Sequence, residues 1–329
     1  MPPVRIGLLG AGEMGAVHAA AHARIDGVEI AAVVGRRPER ARALADRLGV
    51  PAFTDPAAVL DDPSIDAVDV TVPTALHREL VVAALERGKH VFCETPLAAS
   101  VADAEAMIAA AAASGRVLQV ALLMRVAETS VRMRDLVSSG TLGRPLAVST
   151  SRLWPGLVRP ADDHHGDALD ELALFDFDLL VWTFGMPVAV SAAGSPRAGA
   201  IDHVLAVLHF PGFDAFVEAS RVLPPSFPFR IDGRVVCERG TAEWGVRFPA
   251  GRPPSVWFTR YPVDGPSERS EAFETNPYDV ECRRFVDVIR GEAGADLLGA
   301  PAALDGLRLV AASRRALAGG GAVRLDAPS

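Results

Sequence analysis

The run Val4-Arg-Ile-Gly-Leu-Leu-Gly-Ala-Gly-Glu-Met-Gly15 carries an apolar segment into three glycines and then into an alanine-rich stretch, Ala16 to Ala23. A strand that breaks into G-x-G-x-x-G and continues as a helix leaves a phosphate-sized space at the turn. Gly10 permits the tight turn, and Gly12 lets the backbone approach a pyrophosphate. Gly15 lets the helix pack close to the strand, with its N-terminus facing the negative charge. The glycines alone are a weak signal. Their context is stronger, because a second strand pattern follows at Val28 to Val34, as a dinucleotide-binding unit requires. An ordinary strand–turn–helix leaves the third glycine unexplained.

The first third of the chain continues this alternation. Strand patterns lie at Val4–Leu9, Ile30–Val34, Ala67–Thr71, His90–Cys93 and Val117–Leu122. Helix patterns lie at Met14–Ile25, Pro38–Leu48, Leu76–Arg87 and Val101–Ala113. Such alternation predicts an α/β, doubly wound parallel sheet of the Rossmann kind, here over residues 1–121. Ligands of these sheets bind outside the carboxyl ends of the strands. Those ends read Gly35-Arg36-Arg37, Val72-Pro73-Thr74, Glu94-Thr95-Pro96 and Leu123-Met124-Arg125.

After about residue 121 the texture changes. β-rich runs appear at Pro145–Leu153, Val188–Ala193, Val204–Phe210, Ala215–Val222 and Phe229–Cys237, with helix patterns at Ser130–Ser138, Ala168–Phe184 and Tyr278–Arg290. Residues 122–329 therefore read as an α+β domain with a mostly antiparallel open sheet. The last helix, about 301–318, is expected to pack back on the first domain.

Length and charge agree with a two-domain protein that binds small molecules. The 329 residues suggest two domains at about 150 residues each. The net charge of −8 argues against a nucleic-acid or anionic-membrane partner. No apolar stretch is long enough to span a bilayer, and Met1-Pro-Pro-Val-Arg leads straight into a core strand, so neither anchor nor signal peptide is expected. Cys93, Cys237 and Cys282 are odd in number and lack metal-ligand spacing. They read as reduced thiols of a cytoplasmic protein with no metal.

Several motifs fall in one register: Gly10–Gly15, Asp66-Ala-Val-Asp-Val-Thr-Val-Pro-Thr-Ala-Leu-His77, Ala84-Leu-Glu-Arg-Gly-Lys-His-Val-Phe-Cys-Glu-Thr-Pro-Leu97, Gly140-Thr-Leu-Gly-Arg-Pro145, Glu171 to Asp178 and Asn276-Pro-Tyr278. In this order they resemble the Gfo/Idh/MocA family of nicotinamide-dependent oxidoreductases over nearly the whole chain. The resemblance implies a Rossmann domain, a substrate domain with a larger sheet, and a homodimer or homotetramer formed through that sheet. Sugars, cyclitols and related polyols are the family's usual substrates. Glu13, Met14, Val72, Pro73, Glu94 and Thr95 complete the expected dinucleotide site, and His77 matches a family position near the cofactor.

The cofactor's ribose is read at the end of the second strand, about 20 residues past the glycine loop. An acid there favours NAD(H). This chain has Arg36 and Arg37, which can clamp a 2′-phosphate, so NADP(H) is expected ahead of NAD(H). The alternative is that both arginines merely open the next helix.

Two family positions are altered. The motif that normally reads Glu-Lys-Pro is Glu94-Thr95-Pro96. A threonine hydroxyl donates a hydrogen bond but is neither a cation nor a base near neutrality. Lys89, the chain's only lysine, lies at the other end of the same strand, on the order of 15 Å away at ~3.3 Å per residue. The family's Asp-x-Gly-x-His-x-x-Asp reads Glu171-Leu-Ala-Leu-Phe175-Asp-Phe-Asp178, with phenylalanine in the histidine position. Three readings stay open. The first is an oxidoreductase with relocated proton transfer, with Thr95, Glu171, Asp178 and His165 as candidates, and Asp167, Asp170 and His164 behind them. The second is an imine or iminium reductase in which Phe175 stacks on a cationic substrate, unless Phe175 is simply core. The third is a redox-inactive sensor or partner protein.

Overall fold

The structure is a computed structural model and describes residues 2–156, 166–197, 200–271, 273 and 275–325. Its first elements are β1 (Val4–Leu9), α1 (Glu13–His22), β2 (Val28–Val34), α2 (Pro38–Leu48), β3 (Ala52–Phe53), α3 (Ala57–Leu60), β4 (Ala67–Val70), α4 (His77–Glu86), β5 (His90–Cys93), α5 (Val101–Ser114) and β6 (Leu118–Val120). There follow α6 (Glu128–Ser138), β7 (Pro145–Leu153), a π-helical turn (Leu169–Ala173), α7 (Leu174–Phe184), β8 (Ala189–Arg197), β9 (Ala200–Phe210) and β10 (Phe213–Ser220). The remainder is β11 (Phe229–Cys237), β12 (Gly240–Phe248), β13 (Ser255–Pro262), β14 (Glu268–Ser270), α8 (Pro277–Ile289), α9 (Ala300–Gly319) and β15 (Val323–Arg324).

Two compact units result: Met1–Leu123 with Asn276–Leu304, and Met124–Thr275 with Asp305–Ser329. The first is built on a six-stranded sheet ordered β3-β2-β1-β4-β5-β6, with every pairing parallel. Its central strands are near-continuous apolar runs. Ile6, Leu8, Val68, Val70, Val91 and Phe92 are fully buried, as strands covered on both faces must be. Chain order reverses between β1 and β4, which opens a ligand crevice at their carboxyl ends.

One expectation is corrected here. The segment that returns to the first unit is Asn276–Leu304, carrying α8, and the helix expected at 301–318 belongs from Asp305 onward to the second unit. The packing explains why. α8 presents Cys282, Phe285, Val286 and Ile289, which fill the core beside Ala19, Ala21 and Ile25 of the first unit. Asn276 caps α8 by accepting from the Tyr278 amide, with Pro277 in the first turn. α9 instead runs close to α7, where a Cβ on Gly306 would stand 2.9 Å from Leu174.

The second unit holds a nine-stranded sheet ordered β14-β13-β12-β11-β7-β10-β9-β8-β15. β7 and β10 are parallel and the other neighbours antiparallel. Along β9 and β10 burial alternates with period two. Val204, Ala206, Leu208, Ala215 and Val217 are buried, while Leu205 and Phe216 on the opposite face are half exposed.

Candidate active site

The glycine loop has the geometry its spacing predicts. Gly10 sits at φ +137°, and a Cβ there would meet Thr71 at 2.2–2.7 Å. A Cβ on Gly15 would stand 2.2 Å from the Gly10 carbonyl, so α1 packs against the turn only because both residues are glycine. At Gly12 a Cβ would meet nothing within 4 Å. Gly12 is the N-cap of α1 and supplies no side-chain cap, which leaves first-turn amides, those of Glu13 and Met14 among them, for an incoming anion. This open cradle fits a pyrophosphate. At the end of β2, Arg36 is exposed and Arg37 is the N-cap of α2. Ala11 and Ala41 lie 3.0–3.2 Å from where a Gly35 Cβ would stand, so the two loops approach closely there.

The ends of β4 and β5 are tied together by His77. Its Nε2 lies 2.8 Å from the Val72 carbonyl and its Nδ1 2.9 Å from the Pro96 carbonyl. The ring is buried, and burial pushes its pKa below the ordinary range. His77 thus holds the Val72-Pro73 and Thr95-Pro96 loops in place from inside the fold. Thr95 is committed as well: its hydroxyl donates to the Ala121 carbonyl at 2.6 Å, and its amide donates to Glu94 Oε2 at 2.8 Å. Lys89 is pinned at the amino end of β5 by the carbonyls of Asp62 and Ile65.

Behind Glu94 lies a cluster that sequence reasoning missed. His18 and His22 stand one turn apart on α1, both wholly buried. His18 Nδ1 is 3.0 Å from both Asp69 oxygens, and His22 Nε2 is 2.7 Å from Asp69 Oδ2. His18 Nε2 faces Glu94 Oε1 at 3.0 Å and Glu281 Oε1 at 3.9 Å. Burial opposes charge on His18, but Asp69 and then Glu94 outweigh it and hold the imidazole well above its ordinary range. Asp69 is likewise held far below the usual carboxylate range, against its burial, by His18 and His22. Burial pushes the Glu281 carboxyl well up, and His18 only partly offsets this. Donor atoms of His18, Asp69 and Cys282 lie within 4.8 Å of one another. His18 stacks on Phe92 at 5.4 Å. Two signals in the sequence mark this cluster: histidines four apart on an alanine-rich helix, and a lone aspartate in a strand buried on both faces, which demands a partner.

In the second unit the acids of the altered motif are mostly paired. Arg125 grips Asp178 with Nε at 3.0 Å and a terminal nitrogen at 2.7 Å. Arg152 donates to Asp176 at 3.0 Å. Arg314 bridges Asp167 and Asp170 at 2.6–3.0 Å. Burial raises the pKa of Asp178, Asp176 and Asp170, and the arginines partly offset it. Glu171 accepts from the Gly166 amide at 2.9 Å, and Arg221 donates to the Gly166 carbonyl. The helix expected over 168–184 opens with a π-helical turn at Leu169–Ala173, a distortion common at functional sites. The Arg152 guanidinium lies over the Phe175 ring at 4.9 Å. The ring therefore already carries a cation of the protein's own. His165 and His164 lie outside the described residues.

Known proteins point the same way. Residues 4–122 match the model of an oxidoreductase family with an NAD-binding Rossmann fold, and residues 130–243 match a GFO/IDH/MocA C-terminal domain. An inositol 2-dehydrogenase of Mycolicibacterium gilvum is 30% identical over 93% of this chain and 88% of its own length. A myo-inositol 2-dehydrogenase of Thermotoga maritima is 32% identical over 63% of this chain and 65% of its own. The solved aldose-aldose oxidoreductase of Caulobacter crescentus superposes with a TM-score of 0.84 at 25% identity, over 98% of this chain and 100% of that one.

Proposed function

We propose a substrate class and a cofactor preference from one premise: the chain belongs to the Gfo/Idh/MocA family of oxidoreductases, with an NAD-binding Rossmann domain and the family's C-terminal domain. The reading is a dehydrogenase that oxidises a secondary hydroxyl of a cyclitol or sugar to the ketone. What supports it is the 30% identity over 93% of the chain to an inositol 2-dehydrogenase. When bound, the nicotinamide supplies hydride acceptance, and the protein supplies position, electrostatics and exclusion of water. The uncapped start of α1 and the open space at Gly12 hold the pyrophosphate. Glu171 is assigned to the substrate side. Thr95 and Asp178 keep supporting roles, because the hydroxyl of one and the carboxylate of the other are already bonded.

For the cofactor, Arg36 and the absence of a carboxylate at the end of β2 support NADP(H) ahead of NAD(H). Purified protein titrated with each dinucleotide, then assayed on a panel of inositols, aldoses and ketoses, tests both parts. The expected result is tighter NADP(H) binding and turnover of a cyclitol or sugar. Tighter NAD(H) binding reverses the preference, and cofactor binding without turnover on any polyol removes the substrate class.

The large sheet of the second unit supports self-association. Leu205, Phe216 and Tyr261 are exposed by 50, 52 and 40% on one face, and a second copy of the chain is the occupant proposed for it. Light scattering should give a dimer or tetramer, and Phe216→Asp should shift it toward the monomer. A monomeric parent protein would sink this part.

A further inference from the structure

Glu94 is the one member of the His18 cluster that reaches the surface, with its side chain 14% exposed; His18, Asp69, His22 and Glu281 are wholly buried. It stands at the carboxyl end of β5, on the rim where ligands of such sheets bind. The groups around the cluster come from every packed element. His18 and His22 lie on α1, Asp69 on β4, Cys93 and Glu94 on and just past β5, and Glu281 and Cys282 on α8, with His77 of α4 beside Cys93. A neutral imidazole has one N–H. His18 Nδ1 bonds Asp69 at 3.0 Å, while Nε2 lies 3.0 Å from Glu94 Oε1 as a charge contact without hydrogen-bond geometry; the two carboxylates together favour the charged ring. Glu94 therefore presents a carboxylate at the rim with a histidine fixed behind it. The Glu94 oxygens are steadied from two sides, by His18 and by the Thr95 amide. Each carboxylate oxygen has a second acceptor position. The usual lysine is replaced by a threonine whose hydroxyl is already donated.

We propose that Glu94 takes up the proton released from the substrate hydroxyl, and that His18, held by Asp69 and His22, is the positioning residue that fixes the carboxylate from behind. This rests on the dehydrogenase reading given above. In the oxidation, the C–H electron pair leaves as hydride to the dinucleotide. The O–H pair becomes the second bond of the ketone, and the proton passes to Glu94, which becomes a carboxylic acid. In the reduction, the acid returns the proton to the forming hydroxyl.

The test uses the full chain with a polyol that the parent protein turns over. Glu94→Ala, assayed with the dinucleotide saturating, should lower kcat about 10²–10⁴-fold. Added formate, a small carboxylate that can occupy the vacated space, should restore part of the rate with saturation. Glu94→Gln keeps the shape and should show the same loss without rescue; it decides the matter if the alanine variant fails to fold. His18→Gln should lower kcat less, again without rescue. A second readout needs no turnover. In ¹⁵N spectra of the protein without dinucleotide, His18 should carry protons on both ring nitrogens at pH 8, and in Glu94→Gln its titration should move to lower pH. Near-parental kcat in Glu94→Ala and Glu94→Gln overturns the proposal. So does loss without formate rescue in a folded Glu94→Ala, or a neutral His18 at pH 8. A parent protein that turns over no polyol overturns the dehydrogenase reading instead, and is seen before any variant is made.

Discussion

Asp69→Ala is expected to cost about 3–5 kcal/mol of folding stability in the first unit, the range for stripping one partner from a buried ion pair. The aspartate is wholly buried and serves two histidines at 2.7–3.0 Å. Without it, His18 Nδ1 and His22 Nε2 lose their acceptor inside the core. Urea unfolding followed with a probe in the first unit measures the cost. A loss under about 1 kcal/mol would mean that the cluster contributes little, as exposed pairs do. Replacing His18 by leucine in the same chain should recover part of the loss, because the orphaned cation goes with it.

The pH dependence of stability follows from the same groups. His18 is raised, so its contribution is complete below the unfolded histidine value, about 6.5, and is lost as pH rises through the folded value. Asp69 is lowered, so its contribution is complete above the unfolded carboxylate value, about 3.9, and is lost as pH falls through its folded value. Glu281 is raised, so the folded state holds a proton that the unfolded chain releases, and stability declines as pH climbs above about 4.3. The three together place greatest stability on the acid side of neutrality. Asp69→Ala should flatten the decline between about pH 6.5 and the alkaline range. An unchanged slope would show that His18 is not charged in the folded protein.

Gly12→Val is expected to leave the fold intact and weaken dinucleotide binding about 100-fold or more, some 2.8 kcal/mol at 1.4 kcal/mol per tenfold. Gly12 is in an extended conformation, φ −84° and ψ −166°, and a side chain there points into open space. That space is where the pyrophosphate approaches, so the cost falls on the ligand and not on the fold. Gly10→Val should behave in the opposite way. Its φ of +137° disfavours any side chain, and Thr71 atoms already lie within 2.7 Å of the new Cβ, so the first unit should lose its folded baseline. Thermal melts and calorimetric titration separate the two outcomes. Parental binding by Gly12→Val would show that the phosphates do not pass over this loop.

The legible parts of the site were those in which one short segment carries the whole geometry. Gly12 and Gly15 act within the turn itself, Gly15 against the Gly10 carbonyl five residues away, so the spacing in its strand–helix context predicts the cradle, whereas the close approach of Thr71 to Gly10 comes from another strand's end. Arg36 is likewise read from spacing, at its strand end. The altered motifs at Thr95 and Phe175 were visible as letters, but their partners were not. The hydroxyl of Thr95 meets the carbonyl of Ala121, and the ring of Phe175 meets Arg152. Both partners lie on other elements, so a list of candidate acids and bases could not show which were already engaged.

By itself the sequence determined the parallel α/β unit, its phosphate-binding turn and the mostly antiparallel second sheet, because apolar periodicity and glycine placement act over a few residues. Only the tertiary structure decided that α8, and not the last helix as a whole, completes the first unit. It also decided that His18, His22, Asp69, Glu94 and Glu281 form one buried electrostatic unit. The physical reason is common to both. Charge coupling and core filling depend on distance in space, and these residues come from α1, β4, the end of β5 and α8, segments that meet only when the sheet has closed and α8 has docked.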